Sequence, residues 1–343
     1  MGNRCTLAAQ LTVRLLKERV AELRRHVRTA ARHDIDGVHD LRVASRRIRA
    51  VLTGHSALIK KSKLRPFRRR MRGVTRGLGK ARELDVTLGL LGTLRRELTG
   101  SERAAALCAG RHLRGLRADE SPLVDAGVSL VRDVDFRAEL SDVIGAVRAP
   151  KSCYLVYAGD ALRERAYDLD RAFTRWKHLH SEDHLHQIRL ALKKFRYSCE
   201  IFQRLFGPSM DELIAQMKNL QDALGAWNDH RILRAYLDVC ETHTTPKAAQ
   251  GFPALRRIVE ERTDRLYAEA VASMQLFFEP ELQDRIRRVF DTPAHTCCNP
   301  PARAKTLVRS GRLRRGAMAI SDGDEDTATN TQPKQPARKT RKR

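Results

Sequence analysis

Aromatic residues make up only 5% of this 343-residue chain, and alternating β-branched runs are missing. That excludes a sheet-built fold and leaves little to stack on nucleobases. No apolar run approaches the length of a membrane span, and the N-terminus lacks the apolar core and cleavage site of a secretory signal. The opening "MGNRCT" matches the short myristoylation pattern, but a pattern that loose recurs by chance and carries no weight. The seven cysteines form no CxxC pair, and only Cys297 and Cys298 are adjacent. An odd, scattered set fits a reducing compartment and neither a disulfide framework nor a zinc ribbon. A glycine-rich phosphate loop and an acidic magnesium-binding cluster are also missing. These absences predict a cytoplasmic protein with no cofactor and no membrane span.

Acid is missing where it matters most. From Leu41 to Arg82 there are fifteen Lys or Arg and no Asp or Glu. The whole chain carries 66 Lys and Arg against 41 Asp and Glu, a net charge of +25 and a pI near 10.5. A compact fold gains nothing from that imbalance, because like charges repel. A polyanionic partner explains it: nucleic acid, an acidic membrane or a phosphate polymer.

What remains is helical. Leucine, alanine, arginine and glutamate dominate, and breaks fall at Gly54, Pro66, Pro122, Pro150, Pro208, Pro253 and Pro280, cutting the chain into pieces of ordinary helix length. From residue 299 the apolar periodicity stops and the chain ends in a basic cluster, which predicts a disordered basic tail over 299–343. Its last residues, Ala337 to Arg343, would add non-specific attraction to an anion.

An internal repeat organises the rest. Shifted by 147 residues, "HDIDGVHDLRVASRRIR" falls on "HSEDHLHQIRLALKKFR", so His33, Asp36 and His39 meet His180, Asp183 and His186. Arg42, Arg46, Arg47 and Arg49 meet Arg189, Lys193, Lys194 and Arg196. After a one-residue gap, "MRGVTRGLGKARELD" lies over "MKNLQDALGAWNDHR". The expectation is an all-α fold of two pseudo-symmetric helical bundles over 1–298. Repeat 1 covers about 1–150 and repeat 2 about 151–298.

On a helical wheel of about 100° per residue, Arg42, Arg46 and Arg49 share an arc with His39, opposite Leu41, Ala44, Ile48, Val51 and Leu52. The second copy sets His186, Arg189, Lys193 and Arg196 opposite Ile188, Ala191, Leu192, Phe195, Cys199 and Phe202. Val43 and Leu190 flank the cationic stripes. Asp36 and Asp183 are candidate N-caps, which would put both histidines in a first turn. There the positive end of the helix favours anions and lowers a histidine pKa. A further cationic helix carries Arg65, Arg68, Arg69, Arg72, Arg76 and Lys80 around the apolar line Phe67, Met71, Val74 and Leu78. Its counterpart keeps Lys218 but adds Asp211, Glu212 and Asp222, so the first copy should bind harder. A solvated charge run would use acidic partners at i,i+4, and these are missing.

Other chemistries fit less well. His180, His184 and His186 suggest a metal site by spacing, but the arginine stripe repels a cation and no cysteine or paired carboxylate completes the set. A histidine among arginines could accept a phosphoryl group. Asp85 and Asp229, each after an LG turn, suit helix caps or arginine anchors. Nucleic acid is the main rival, by non-specific backbone contact, since Phe67 is the only aromatic between His39 and Arg82. Membrane adsorption would spend apolar faces needed for packing. The residues leave the oligomeric state open.

The segments "VHDLRVASRRIR", "LHQIRLALKKFRY", "LGKARELDV" and "LQDALGAWND", in that order, resemble the CHAD family of histidine-containing α-helical domains. Glu83 departs from the family's usual Asp, which bears on a local cap or bridge. The resemblance implies two bundles whose basic helices line a central groove. It also implies binding of inorganic polyphosphate and association with polyphosphate granules, without enzymatic activity of the chain's own. Some members are fused to a triphosphate-tunnel hydrolase domain, but its alternating-glutamate strand signature is not found here. A polymer without bases needs no stacking platform. If about eight phosphates are neutralised, at about 0.7 each in the salt slope, affinity falls roughly a thousandfold between 50 and 200 mM salt.

Overall fold

The computed structural model describes residues 2–278 except 151 and 152, together with Asp284 and Ile286. The C-terminal tail expected over 299–343, the paired Cys297 and Cys298, and Pro280 lie outside the described residues. Among those described, the fold is all-α, with one isolated bridge between Ile59 and Val147. The first half runs α1 (Gly2–Ala30), α2 (Ile35–Gly54), α3 (Lys61–Gly77), α4 (Gly79–Arg95), α5 (Gly100–Asp119), α6 (Ser121–Arg132) and α7 (Asp135–Gly145). The second runs α8 (Tyr154–Leu179), α9 (Glu182–Phe202), α10 (Pro208–Glu241), α11 (Pro246–Ala249) and α12 (Phe252–Phe278).

Each half buries its own apolar stripe. In the first, Leu41, Ile48, Leu52, Phe67, Met71 and Phe136 are fully buried where α1, α2, α3, α6 and α7 meet. In the second, Ile188, Leu192, Phe195, Met217 and Leu224 do the same where α8, α9, α10 and α12 meet. Full burial of each such side chain contributes about 1.5–3 kcal/mol. A third cluster was not anticipated. Leu84, Leu91, Ala109 and Leu113 of α4 and α5 pack with Leu233, Leu237, Phe252 and Leu255 of α10 and α12, so a core built from both halves ties them together.

Positions that match in sequence take matching local geometry. His33 and His180 are the non-glycine residues with positive φ among those described, at 59° and 44°, each just before its basic helix. Gly37 lets α2 approach the end of α1, because a Cβ there would sit 2.6 Å from Ala30 N. The second block differs between the copies. A break at Leu78 separates α3 from α4, whereas α10 runs straight through the matched Leu224 and Gly225. The break is slight, since Leu78 keeps an αR conformation, and it lies where α6 packs closely: a Cβ on Gly77 would lie 2.6 Å from Leu123 O.

Pro66 does not end a helix. It sits inside α3, where it and Ser62 are both exposed, so the carbonyl freed by its missing N–H reaches water. The other prolines behave as expected: Pro122, Pro208 and Pro253 stand in the first turns of α6, α10 and α12.

Helix α2 packs across α9. At its C-terminal end His55 is fully buried among Tyr154, Tyr157 and Phe202. Its Nδ1–H donates to Val51 O (3.0 Å) and its Nε2 accepts from Tyr154 OH (2.7 Å). Burial holds its pKa down at about 4, so it is a neutral hinge-pin for this crossing. Tyr157 OH donates to Gly54 O (2.6 Å) beside it.

Candidate anion-binding cavity

With α2 crossed on α9, their cationic stripes face each other across a cavity of about 350 Å³. Helix α2 contributes His39, Arg42, Arg46 and Arg49, and α9 contributes His186, Arg189, Lys193 and Lys194. Arg68 enters from α3, Arg82 and Glu83 from α4, Arg165 from α8, and Asn228, Asp229 and Arg231 from α10. Val43 and Leu190 line it as well, so the charges stand against apolar wall and not in open water.

The helix starts correct one expectation. Asp34 and Ser181 are the N-caps, accepting from the backbone N–H of Gly37 and His184. Asp36 and Asp183 fall inside the first turn instead. His39 and His186 are therefore in second turns, where their own N–H groups are used within the helix. Both histidine pKa values are lowered, but burial is the leading cause. Arg82 and Arg46 add to it at His39. Arg189, Arg231 and Lys193 add to it at His186, which falls to about 4. The Nδ1–H of His186 donates to Asn228 Oδ1 (3.0 Å), leaving Nε2 an acceptor while the ring is neutral.

The cations are poorly neutralised. Burial pushes the Lys193 ammonium well below its usual range, with Arg189 and Arg46 adding repulsion and Asp229 opposing it. Arg189 is shifted down in the same way, by burial and then by Arg46 and Arg231 against Asp229. The buried Nε–H groups of Arg46 and Arg189 have no hydrogen-bond partner. Among the described residues no carboxylate lies within ion-pair distance of Arg46, Arg189 or Lys193. Tyr197 lies under Arg46 and Arg196, with guanidinium carbons 6.0 and 4.7 Å from its ring centre. Donors crowded at an apolar wall and short of acceptors within the protein are chemically able to receive an anion.

Several candidate residues lie elsewhere. Arg47 turns to Glu22 on α1, as its wheel position, outside the stripe, allows. Arg196 is tied to Glu200 and to Gln221 Oε1 (2.8 Å). The matched helices therefore differ: Arg49 lines the cavity on α2, and Lys194, at the position matched to Arg47, lines it on α9. Of the cations on α3 only Arg68 lines the cavity. Arg65, Arg69 and Arg76 are exposed on the outer face, and Arg72 is half-buried outside the lining. Lys80 is spent on Glu83 (2.7 Å) and the Tyr236 ring, and Lys218 is exposed on α10.

Arg82, Arg165, Asn228 and Arg231 were missed. For two of them the repeat held the signal: Arg82 and Asn228 are matched positions in the second block, and each stands beside its copy's histidine. Glu83, the departure from the family pattern, does form a bridge, accepting from Lys80 and from Tyr236 OH (2.9 Å). Asp85 anchors Arg117 (2.7 Å). The three histidines once grouped as a metal set go separate ways. His180 packs edge-on against Trp176, His184 contacts Ser181, and His186 contacts Asn228. Among the described residues no group of three or more His, Cys, Asp or Glu is placed to hold a metal, and no helix is long and apolar enough to cross a membrane.

No curated protein matches the chain. Two solved structures share its fold. The CHAD domain from the plant Ricinus communis aligns with a TM-score of 0.55 at 17% identity, over 83% of this chain and 91% of that one. PptA from Streptomyces chartreusis aligns with a TM-score of 0.53 at 17% identity, over 77% of this chain and 99% of that one. The model of the CHAD domain matches residues 14–238. With every lining residue of the cavity inside that span, the chain belongs to the CHAD domain family.

Proposed function

We propose that this protein binds inorganic polyphosphate in the cavity between α2 and α9, as a non-enzymatic binder that docks at polyphosphate granules. The observation that carries the reading is the set of cations held against each other with no carboxylate in ion-pair distance: Arg46, Arg189 and Lys193. An unbranched chain of phosphates supplies negative charge at every unit and needs only forks and point charges to receive it. Tyr197, the aromatic ring in the lining, is already covered by two guanidiniums. That leaves no bare platform for a base, which favours a baseless polymer over single-stranded nucleic acid. A backbone-only mode on duplex DNA would use an outer surface such as the exposed arginines of α3, not an interior cavity.

The test is competition between long polyphosphate and charge-matched duplex DNA across a salt series. Combined Arg42→Gln, Arg46→Gln and Arg49→Gln should lower the salt slope by about 2, at about 0.7 per lost contact. It should cost at least a hundredfold in affinity at low salt. Arg257→Gln, on the exposed face of α12, should change neither. DNA winning at physiological salt, or equal losses from both variants, would remove the reading.

A further inference from the structure

The cavity does not end at its own wall. A second groove of about 320 Å³ opens between α8 and α9, lined by Arg165, Arg171 and Arg175 of α8 and by His184 and Lys194 of α9. Three residues, Arg165, Leu190 and Lys194, line both spaces, so the two adjoin. We infer that this groove is a second subsite, an exit track along which a long phosphate chain leaves the cavity and runs along α8. The inference rests on the polyphosphate reading and adds a direction and a length dependence to it.

The groove's charge balance supports that path. Four permanent cations face one acid, Asp168, whose carboxylate is held 3.2 Å from Arg165. Arg165 thus stands at the junction, clamped by a neighbour that a phosphate can displace at little cost, because exposed pairs of this kind contribute only about 0–1 kcal/mol. Arg171 and Arg175 are exposed one helical turn apart, and Arg171 rests on the Tyr167 ring with its guanidinium carbon 5.8 Å from the ring centre. That stacking holds the fork on the outer surface. From Arg165 to Arg175 the helix advances about 15 Å, a length that several phosphates would span. At the far side His184 sits in the first turn of α9, where the positive end of the helix adds to the field. Under the same 147-residue shift α1 repeats Arg171 and Arg175 as Arg24 and Arg28, but it has Glu18 in place of Arg165, and Arg47, the match of Lys194, is paired with Glu22, so the junction with the cavity is particular to the second half.

A short chain would fill the cavity and stop, whereas a long one would engage both spaces. The experiment compares tripolyphosphate with polyphosphate of a hundred or more units on the full chain, by calorimetry over a salt series. Arg171→Gln with Arg175→Gln should lower the long-chain salt slope by about 1.4, two contacts at about 0.7 each. It should weaken long-chain binding at low salt at least tenfold and leave tripolyphosphate within twofold. An unchanged long-chain slope overturns the track, and so does an equal loss for both ligands, which would mark the arginines as a diffuse field. Absence of binding by the unaltered protein to either ligand is a different result: it removes the polyphosphate reading itself.

Discussion

Replacing Lys193 with methionine should make the unliganded protein more stable and a weaker binder. Lys193 lies one turn from Arg189 on α9, and side chains at i,i+4 on a helix are about 6 Å apart at Cβ. If the two charges stand about as far apart as their Cβ atoms, they repel by about 3 kcal/mol at an effective dielectric near 20. Arg46 adds to this from α2 and Asp229 takes part of it back, while side-chain relaxation reduces the sum. A net gain of about 2 kcal/mol follows, and at about 2–3 °C per kcal/mol for a chain of this size, Tm rises by about 4–6 °C. The sign also sets a pH dependence. A lysine whose pKa is depressed on folding destabilises the fold while charged, so unliganded stability should climb as pH rises from its depressed pKa toward 10.5. In the Lys193→Met protein that climb should shrink. The assay is thermal unfolding by circular dichroism in low-salt, phosphate-free buffer, repeated with saturating polyphosphate, where the stabilisation should be larger for the unaltered protein. A lower Tm for Lys193→Met without ligand would refute the reasoning, because it would mean that the ammonium already has a partner.

Two further outcomes follow from the same geometry. His186 is neutral in the free cavity with a pKa of about 4, facing Arg189 and Lys193 from α9 and Arg231 and Asn228 from α10. A phosphate beside it raises that pKa, so binding takes up a proton and tightens as pH falls from 7 to 5. Calorimetry in two buffers of different ionisation enthalpy should show uptake that drops in His186→Gln, and equal uptake in both proteins would contradict the assignment. Gly77→Ala should destabilise the fold by about 1–3 kcal/mol through the 2.6 Å approach to Leu123 O, read by denaturant unfolding. The polyphosphate salt slope should stay as it was, since α3 and α6 meet on the side away from the ligand's charges.

The faces of α2 and α9 were legible in the sequence because a 3.6-residue period, written twice, leaves little freedom. Leu41, Ile48 and Leu52 on one helix and Ile188, Leu192 and Phe195 on the other are all buried as the wheel requires. Part of what escaped depended on neighbours elsewhere along the chain. Arg47, already outside the stripe, is held by Glu22, while Arg196 has Gln221 beside it and also a local acid at i+4, Glu200, contrary to the expectation that such partners are missing. Pro66 looks like a helix end until Ser62 is found exposed to water. The third core needs α4 and α5 set against α10 and α12, more than a hundred residues on, and no local pattern encodes that pairing. Arg82 and Asn228 were within reach, since the repeat aligns them, but a residue's match to a partner of different type is easily passed over.

The most direct test of the central claim is the structure of the full chain bound to a phosphate chain of defined length. The account predicts phosphate oxygens within hydrogen-bond distance of Arg46, Arg189 and Lys193, between α2 and α9. A chain lying instead on Arg65, Arg69 and Arg76 of the outer α3 face, with nothing between the two basic helices, would contradict it.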